Sequence, residues 1–324
     1  MAQLDLPIEE LKTYRGVNPC PENLDEYWKE ALAELDTFPW NVNLKKSAFQ
    51  APFAECYDLY FTGVADTRIY AKYIKPKNGT APHPAVVEFH GYHGNSGDWS
   101  GKLKYAAAGF SVASMDCRGQ GGKSRDKIEV AGPTLEGHII RGLEDGPEKL
   151  MYRAHFLDTV QLVRIVKSFR EVDGSRIGVT GASQGGGLTL ACAALEPSIR
   201  CAAPVYPFLS DYKRVWDMDL DLGAYAELRT YFRSYDPLHE REEEIFKTLG
   251  YIDVKNLVGR IKGKVLMGIT MMDDICPPST QFAAFNRIES EKQSLVYHDH
   301  GHEYLPGLED RIFTFLVETL TSKG

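Results

Sequence analysis

Residues 180–187 read TGASQGGG, a serine and a glutamine set among four glycines. Within them, Gly181-Ala182-Ser183-Gln184-Gly185 matches G-x-S-x-G. The match follows the apolar run RIGV and precedes GLTLACAAL, so it sits between an expected strand and an expected helix. A nucleophilic serine requires that context. On a sharp strand-to-helix turn the backbone is strained and neighbouring side chains would collide. Glycines two residues to either side remove those side chains. The N-terminus of the helix then directs N–H groups and a positive dipole end at a developing oxyanion. The bland alternative is a glycine-rich turn that carries a serine by chance; the strand before it and the helix after it favour the nucleophile.

A serine nucleophile needs a base, and the base needs a carboxylate to orient it. In folds with such an elbow the chain order is serine, acid, histidine. Two segments supply the partners in that order. MMDDICPPST follows the apolar run KVLMGIT and places Asp273 and Asp274 at a strand's carboxyl end. HDHGHEY follows SLVYH and places His302 on the next strand-end loop. Position favours Asp273 and leaves Asp274 open. His298, His300 and His302, spaced by two, would share a face if extended and so raise the idea of zinc. No HExxH or CxxC accompanies them, and a zinc site needs further ligands, so neither metal nor cofactor is expected.

The second half of an oxyanion site should come from the loop after an early strand. EFHGYHGNSG (88–97) stands there. The backbone N–H of Tyr92 is expected to act with that of Gln184. GQGGKS (119–124) ends like a phosphate-binding loop, but the glycine such a loop needs is replaced by Cys117, so phosphate cradling is rejected.

The elements that must position these residues follow from periodicity. Short apolar runs at 85–90, 110–116, 176–181, 201–207, 264–270 and 294–298 read as strands. Helical patterns fall at 102–109, 153–170, 187–195, 279–290 and 307–322. Alternation of this kind implies an α/β fold, with a mainly parallel sheet covered on both faces. Ahead of it stand a helix at 23–38 and a hairpin at 56–75 turning around Gly63 to Asp66. Residues 208–262 interrupt the rhythm with polar helices, readable as a cap, an assembly surface or ordinary excursions. The expected organisation is one domain over 1–324, with an N-terminal extension and hairpin over 1–80 and a helical insertion over 208–262.

Composition narrows the class. The 324 residues are 43% hydrophobic and 25% charged, a globular composition. A net charge of −8 and the absence of a basic run argue against nucleic-acid or anionic-membrane partners. No apolar stretch approaches the ~18 residues that span a bilayer. The first residues, MAQLDLPIEELKTYRG, lack the apolar core of a secretory signal. Six scattered cysteines without a CxxC read as mostly buried thiols in a reducing compartment, hence a cytoplasmic location.

HGYHG, DCRGQGG, GASQGGG, YPFLSDY, DICPPSTQFAAFN and GHEY occur in this order along the chain. The order resembles that of the acetyl xylan esterases and cephalosporin C deacetylases, carbohydrate esterase family seven. LDLPIEELKTYRG and DEYWKEAL are similar to that family's N-terminal extension, so the resemblance covers nearly the whole chain. It implies an α/β-hydrolase fold and removal of acetyl groups from short xylo-oligosaccharides and from cephalosporin C. It also implies Ser183 as nucleophile, Asp273 as acid, His302 as base, and Tyr92 and Gln184 as oxyanion donors. Assembly into hexamers around an internal cavity, favouring small soluble substrates, is implied on the same ground. Other readings are a general carboxylesterase, an oligopeptidase-like enzyme and a non-enzymatic scaffold. The roughly 80 residues before AVVEFH are too few for the propeller that oligopeptidases carry. A scaffold would be expected to have lost one of the three candidate residues.

Overall fold

The apolar runs assemble into a nine-stranded sheet, seen in a computed structural model that describes residues 4–133 and 138–322. The strands are β1 (Asn43–Lys46), β2 (Ala54–Gly63), β3 (Thr67–Pro76), β4 (His83–Phe89), β5 (Ser111–Met115), β6 (Val172–Ala182), β7 (Cys201–Val205), β8 (Lys264–Thr270) and β9 (Lys292–Tyr297). Their order across the sheet is β1-β2-β3-β5-β4-β6-β7-β8-β9. The first three strands and the β3–β5 junction are antiparallel, and the remainder are parallel. The hairpin expected at 56–75 is the β2–β3 pair. Strand β1 was not foreseen: all four of its residues are exposed, so it lacks the alternation that marks a half-buried strand.

The helices are α1 (Ile8–Leu11), α2 (Leu24–Glu34), α3 (Leu103–Ala107), α4 (Met151–Ser168), α5 (Gln184–Leu195), α6 (Tyr212–Asp217), α7 (Ala226–Tyr235), α8 (Glu242–Leu249), α9 (Val254–Leu257), α10 (Pro278–Arg287) and α11 (Leu308–Thr321). Helices α4, α5 and α10 cover one face of the sheet, and α3 and α11 cover the other. Strand residues alternate between the two cores. Val87 and Ala113 join the cluster that contains Phe156, Leu188 and Phe282, whereas Val86 and Val112 join Tyr105, Phe110 and Leu316. Helix α5 is buried along its whole length, which explains its glycine- and alanine-rich sequence: only small residues fit against β6 and β7 at close range.

The insertion between β7 and β8 is helical, as expected, and holds α6 to α9. Part of it packs on the N-terminal extension. Buried Asp211 accepts hydrogen bonds from the N–H groups of Val17 (2.9 Å) and Asn18 (2.7 Å) and from the Tyr14 hydroxyl (2.8 Å). Trp28 on α2 donates its indole N–H to Tyr251 O at 3.0 Å. The two segments that depart from the β/α rhythm thus bury each other.

The site is placed by topology. The chain passes from β4 outward to β5, then crosses back to lay β6 on the other side of β4. Ligands in open α/β sheets bind at the carboxyl ends of strands where the order reverses in this way. The loops after β4 and β6 carry Tyr92 and Ser183.

Candidate active site

Ser183 stands between β6 and α5 with φ 57° and ψ −120°, a conformation that a residue with a side chain adopts only under strain. The surroundings enforce it. A Cβ on Gly185 would lie 2.1 Å from the Phe89 carbonyl oxygen, and one on Gly181 would lie 2.6 Å from both the Phe89 and Gly185 oxygens. Both glycines are therefore required by contact, not merely by flexibility. Gln184 is the first residue of α5, where N–H groups have no partner within the helix.

The Ser183 Oγ lies 2.9 Å from His302 Nε2, and His302 Nδ1 lies 2.9 Å from Asp273 Oδ2. His302 is half-buried and its ring rests on that of Tyr206, centroids 4.6 Å apart. Asp273 is fully buried and well supported. Its Oδ2 also accepts the Thr270 hydroxyl at 3.1 Å, and its Oδ1 accepts the N–H groups of Ile275 (3.0 Å) and Cys276 (2.8 Å). These bonds turn the carboxylate toward His302. Asp274 faces solvent, so of the two adjacent aspartates only Asp273 is brought to the serine. The geometry can pass the serine proton to an imidazole whose tautomer the carboxylate holds.

The loop after β4 lies against this turn. His90 Nε2 accepts the Cys117 N–H at 2.9 Å, which leaves Nδ1–H to donate to Gly91 O at 2.7 Å. Burial lowers the His90 pKa, in keeping with a neutral ring. The Tyr92 ring stacks on His93 (4.1 Å) and meets His138 and Phe208 edge-on at 5.3 and 5.7 Å. The Gln184 side chain, fully buried, pairs with the Gln120 amide (2.6 and 3.0 Å) and accepts the Tyr152 hydroxyl at 2.9 Å.

A model of the acetyl xylan esterase family matches residues 1–319. The chain belongs to the acetyl xylan esterase family. It is 58% identical to acetyl xylan esterase 1 from a Thermoanaerobacterium species, covering 98% of this chain and 100% of that one, with a TM-score of 0.96. An acetyl xylan esterase from Paenibacillus sp. R4 is 36% identical, over 96% and 99% of the two chains, with a TM-score of 0.92. An acetyl esterase of Xylanibacter ruminicola is 27% identical over 282 residues, 85% of this chain and 62% of that protein's length. The fold of this acetyl xylan esterase family member is the α/β-hydrolase fold, consistent with its mostly parallel sheet and flanking helices.

The zinc idea can be judged on position. His298 is exposed and His300 packs against Tyr297, so the three-histidine run is not gathered around one point. Among the described residues, the group with ligand atoms close enough for an ion is Asp273, Cys276 and His302, all within 4.8 Å. Two of these already bond each other. Sequence reasoning gives Cys276 no place beside the serine, and it does not mark Thr270, Tyr206 or Gln120 at all. Its thiol is buried and pushed well above its ordinary pKa by that burial and by the Asp273 charge, with a hydrogen bond to Ser183 acting the other way. No spacing rule marks it; only the turn around Asp273 brings it to the serine. Five of the six cysteines are buried and Cys20 is exposed. No helix among the described residues is long and apolar enough to cross a membrane.

Proposed function

We propose that this family member is a serine esterase that removes O-acetyl groups from small acetylated sugars, xylo-oligosaccharides among them, and from cephalosporin C. The observation that carries the reading is the chain of two 2.9 Å contacts from Ser183 through His302 to Asp273. Ser183 Oγ attacks the acetyl carbonyl carbon while its proton passes to His302 Nε2. The oxygen of that carbonyl takes up the negative charge and is met by the N–H groups of Tyr92 and Gln184. Collapse breaks the bond to the sugar oxygen, which leaves with the proton from His302. The acetyl-enzyme is then attacked by water that His302 deprotonates; acetate departs and Ser183 recovers its proton. Asp273 keeps Nδ1 protonated and stabilises the imidazolium. No metal or cofactor enters the cycle.

Membership of the family supports the acetyl ester as substrate, and the family resemblance supports cephalosporin C and a hexameric assembly; the scattered cysteines without a CxxC support a cytoplasmic location, and the β/α alternation supports a single-domain organisation. The test is acetate release from acetylated xylo-oligosaccharides, p-nitrophenyl acetate and cephalosporin C by the wild type and Ser183→Ala. The expected outcome is cleavage of all three by the wild type and loss of activity by at least about 10³-fold in a folded mutant. Cleavage of the nitrophenyl ester alone would keep the serine chemistry and remove the sugar assignment. A metal-dependent deacetylase would instead lose activity with a chelator and tolerate the substitution.

A further inference from the structure

One carboxylate near the site is buried where three segments meet. Glu227 lies in the first turn of α7, within the insertion, and is 4% exposed. Its Oε1 accepts the backbone N–H groups of His138 at 2.9 Å and Ile139 at 2.8 Å, and the Tyr92 hydroxyl at 3.5 Å. Its Oε2 accepts the Ile140 N–H at 3.4 Å. The His138 N–H is shared with the Tyr92 hydroxyl oxygen, 3.2 Å away. Among the described residues no Lys or Arg forms an ion pair with Glu227, and the hydrogen bonds it accepts come from N–H and O–H groups. A buried carboxylate without a counter-ion is costly, and an apolar residue on α7 would avoid that cost. Its presence is explained by what it holds together.

We propose that Glu227 is a positioning residue for the oxyanion donor at Tyr92, tying helix α7 to the Tyr92 side chain and to the 138–140 backbone. The inference rests on the serine-esterase reading above. The Tyr92 ring, lodged among His93, His138 and Phe208, gains a polar anchor at its hydroxyl end, which limits how far the chain at Tyr92 can shift. Donors to an oxyanion act on the transition state and scarcely on bound substrate, so a loosened anchor lowers kcat more than it changes KM. Burial pushes the Glu227 pKa up to about 7, against the hydrogen bonds from Ile139, Ile140, His138 and Tyr92, which pull it down. Protonation converts one acceptor oxygen into a donor and weakens the anchor. The titratable groups facing Glu227 are Tyr92, Tyr152 on α4 and Tyr212 on α6, with the His138 ring beside them kept neutral by burial.

The test compares wild type, Glu227→Gln, Glu227→Asp and Glu227→Ala with p-nitrophenyl acetate and with phenylboronic acid, whose tetrahedral adduct on the serine presents an oxygen to the oxyanion donors. Glu227→Ala is expected to lower kcat by about 10- to 100-fold, the scale on which misplacement of ~1 Å acts. Boronate affinity should fall by the same factor, and KM should stay within about threefold. Glu227→Gln is the neutral isostere of the protonated carboxyl and is expected at pH 8 to show the lowered kcat that the wild type reaches only below the Glu227 pKa. Its acid limb of kcat/KM should show one ionisation where the wild type shows two. Glu227→Asp should fall between. If Glu227→Ala does not fold, the pH limb of Glu227→Gln decides. Wild-type kcat, boronate affinity and pH profile in the folded variants would overturn the inference while leaving the serine reading intact. Activity surviving in Ser183→Ala would overturn that reading instead.

Discussion

At the scale of single residues, Asp273 and Asp274 are chemically alike and differ only in what surrounds them. Asp273 is fully buried with four hydrogen-bond donors on its two oxygens, His302 among them. Asp274 is exposed. Replacing Asp273 by Asn swaps an acceptor for an N–H₂ donor, which favours the wrong tautomer of His302. A fall in kcat on the order of 10³- to 10⁴-fold is expected, with some loss of stability from the bonds to Ile275 and Cys276. Asp274→Asn should stay within about twofold and keep its melting temperature, as surface substitutions generally do. Turnover of p-nitrophenyl acetate with parallel thermal melts reads both, and the reverse pattern would move the acid to 274.

At the scale of elements, the loop after β5 is fastened to α4 by a buried ion pair. Arg118 Nε and Nη2 each donate to Asp158 at 2.7 Å, and neither side chain is exposed. The same loop brings Gln120 to the Gln184 side chain, so this fastening also reaches the turn that holds Ser183. Removing one partner strands the other charge in the interior. Arg118→Met should cost about 3–5 kcal/mol, whereas the double variant Arg118→Met/Asp158→Leu should recover most of it. Denaturant unfolding measures both; equal losses in the single and double variants would show that pairing is not what secures the loop.

At the scale of the whole molecule, three buried groups bias stability against pH in opposing senses. Burial lowers the pKa of His138 from 6.5 to about 4 and holds that of His155 well below its ordinary value. The unfolded chain binds protons at these rings below pH 6.5 and the folded chain does not, so each makes stability rise with pH up to about 6.5. Burial raises the Glu227 pKa from 4.5 to about 7. Here the folded chain holds the extra proton, so stability falls as pH rises from about 4.5 to 7. The His138 and Glu227 shifts are each worth on the order of 3 kcal/mol and largely offset one another. Glu227→Gln removes the opposing contribution. Its melting temperature should therefore climb more steeply than that of the wild type between pH 5 and 6.5. Parallel slopes in a thermal-shift series would show that Glu227 titrates at an ordinary carboxyl pH.

What the amino-acid sequence determined by itself was local. The strand–turn–helix around Ser183 is written in adjacent residues, because glycine at 181 and 185 is demanded by backbone atoms only a few bonds or one strand away. The alternation of apolar runs dictates the parallel sheet, and the sheet's handed crossovers bring the loops after β4, β6, β8 and β9 to one edge. Strand β1 escaped because its residues are all exposed and carry no period. Tertiary structure showed why Asp273, which position and resemblance already favoured, faces His302 while Asp274 does not, since adjacent residues on a loop differ only in which way the fold turns them. It alone brought Cys276 to Ser183 and Glu227 to Tyr92, across 93 and 135 residues of chain. Such contacts leave no periodic trace in sequence, because burial and hydrogen bonding between distant segments depend on how the layers pack and not on spacing along the backbone.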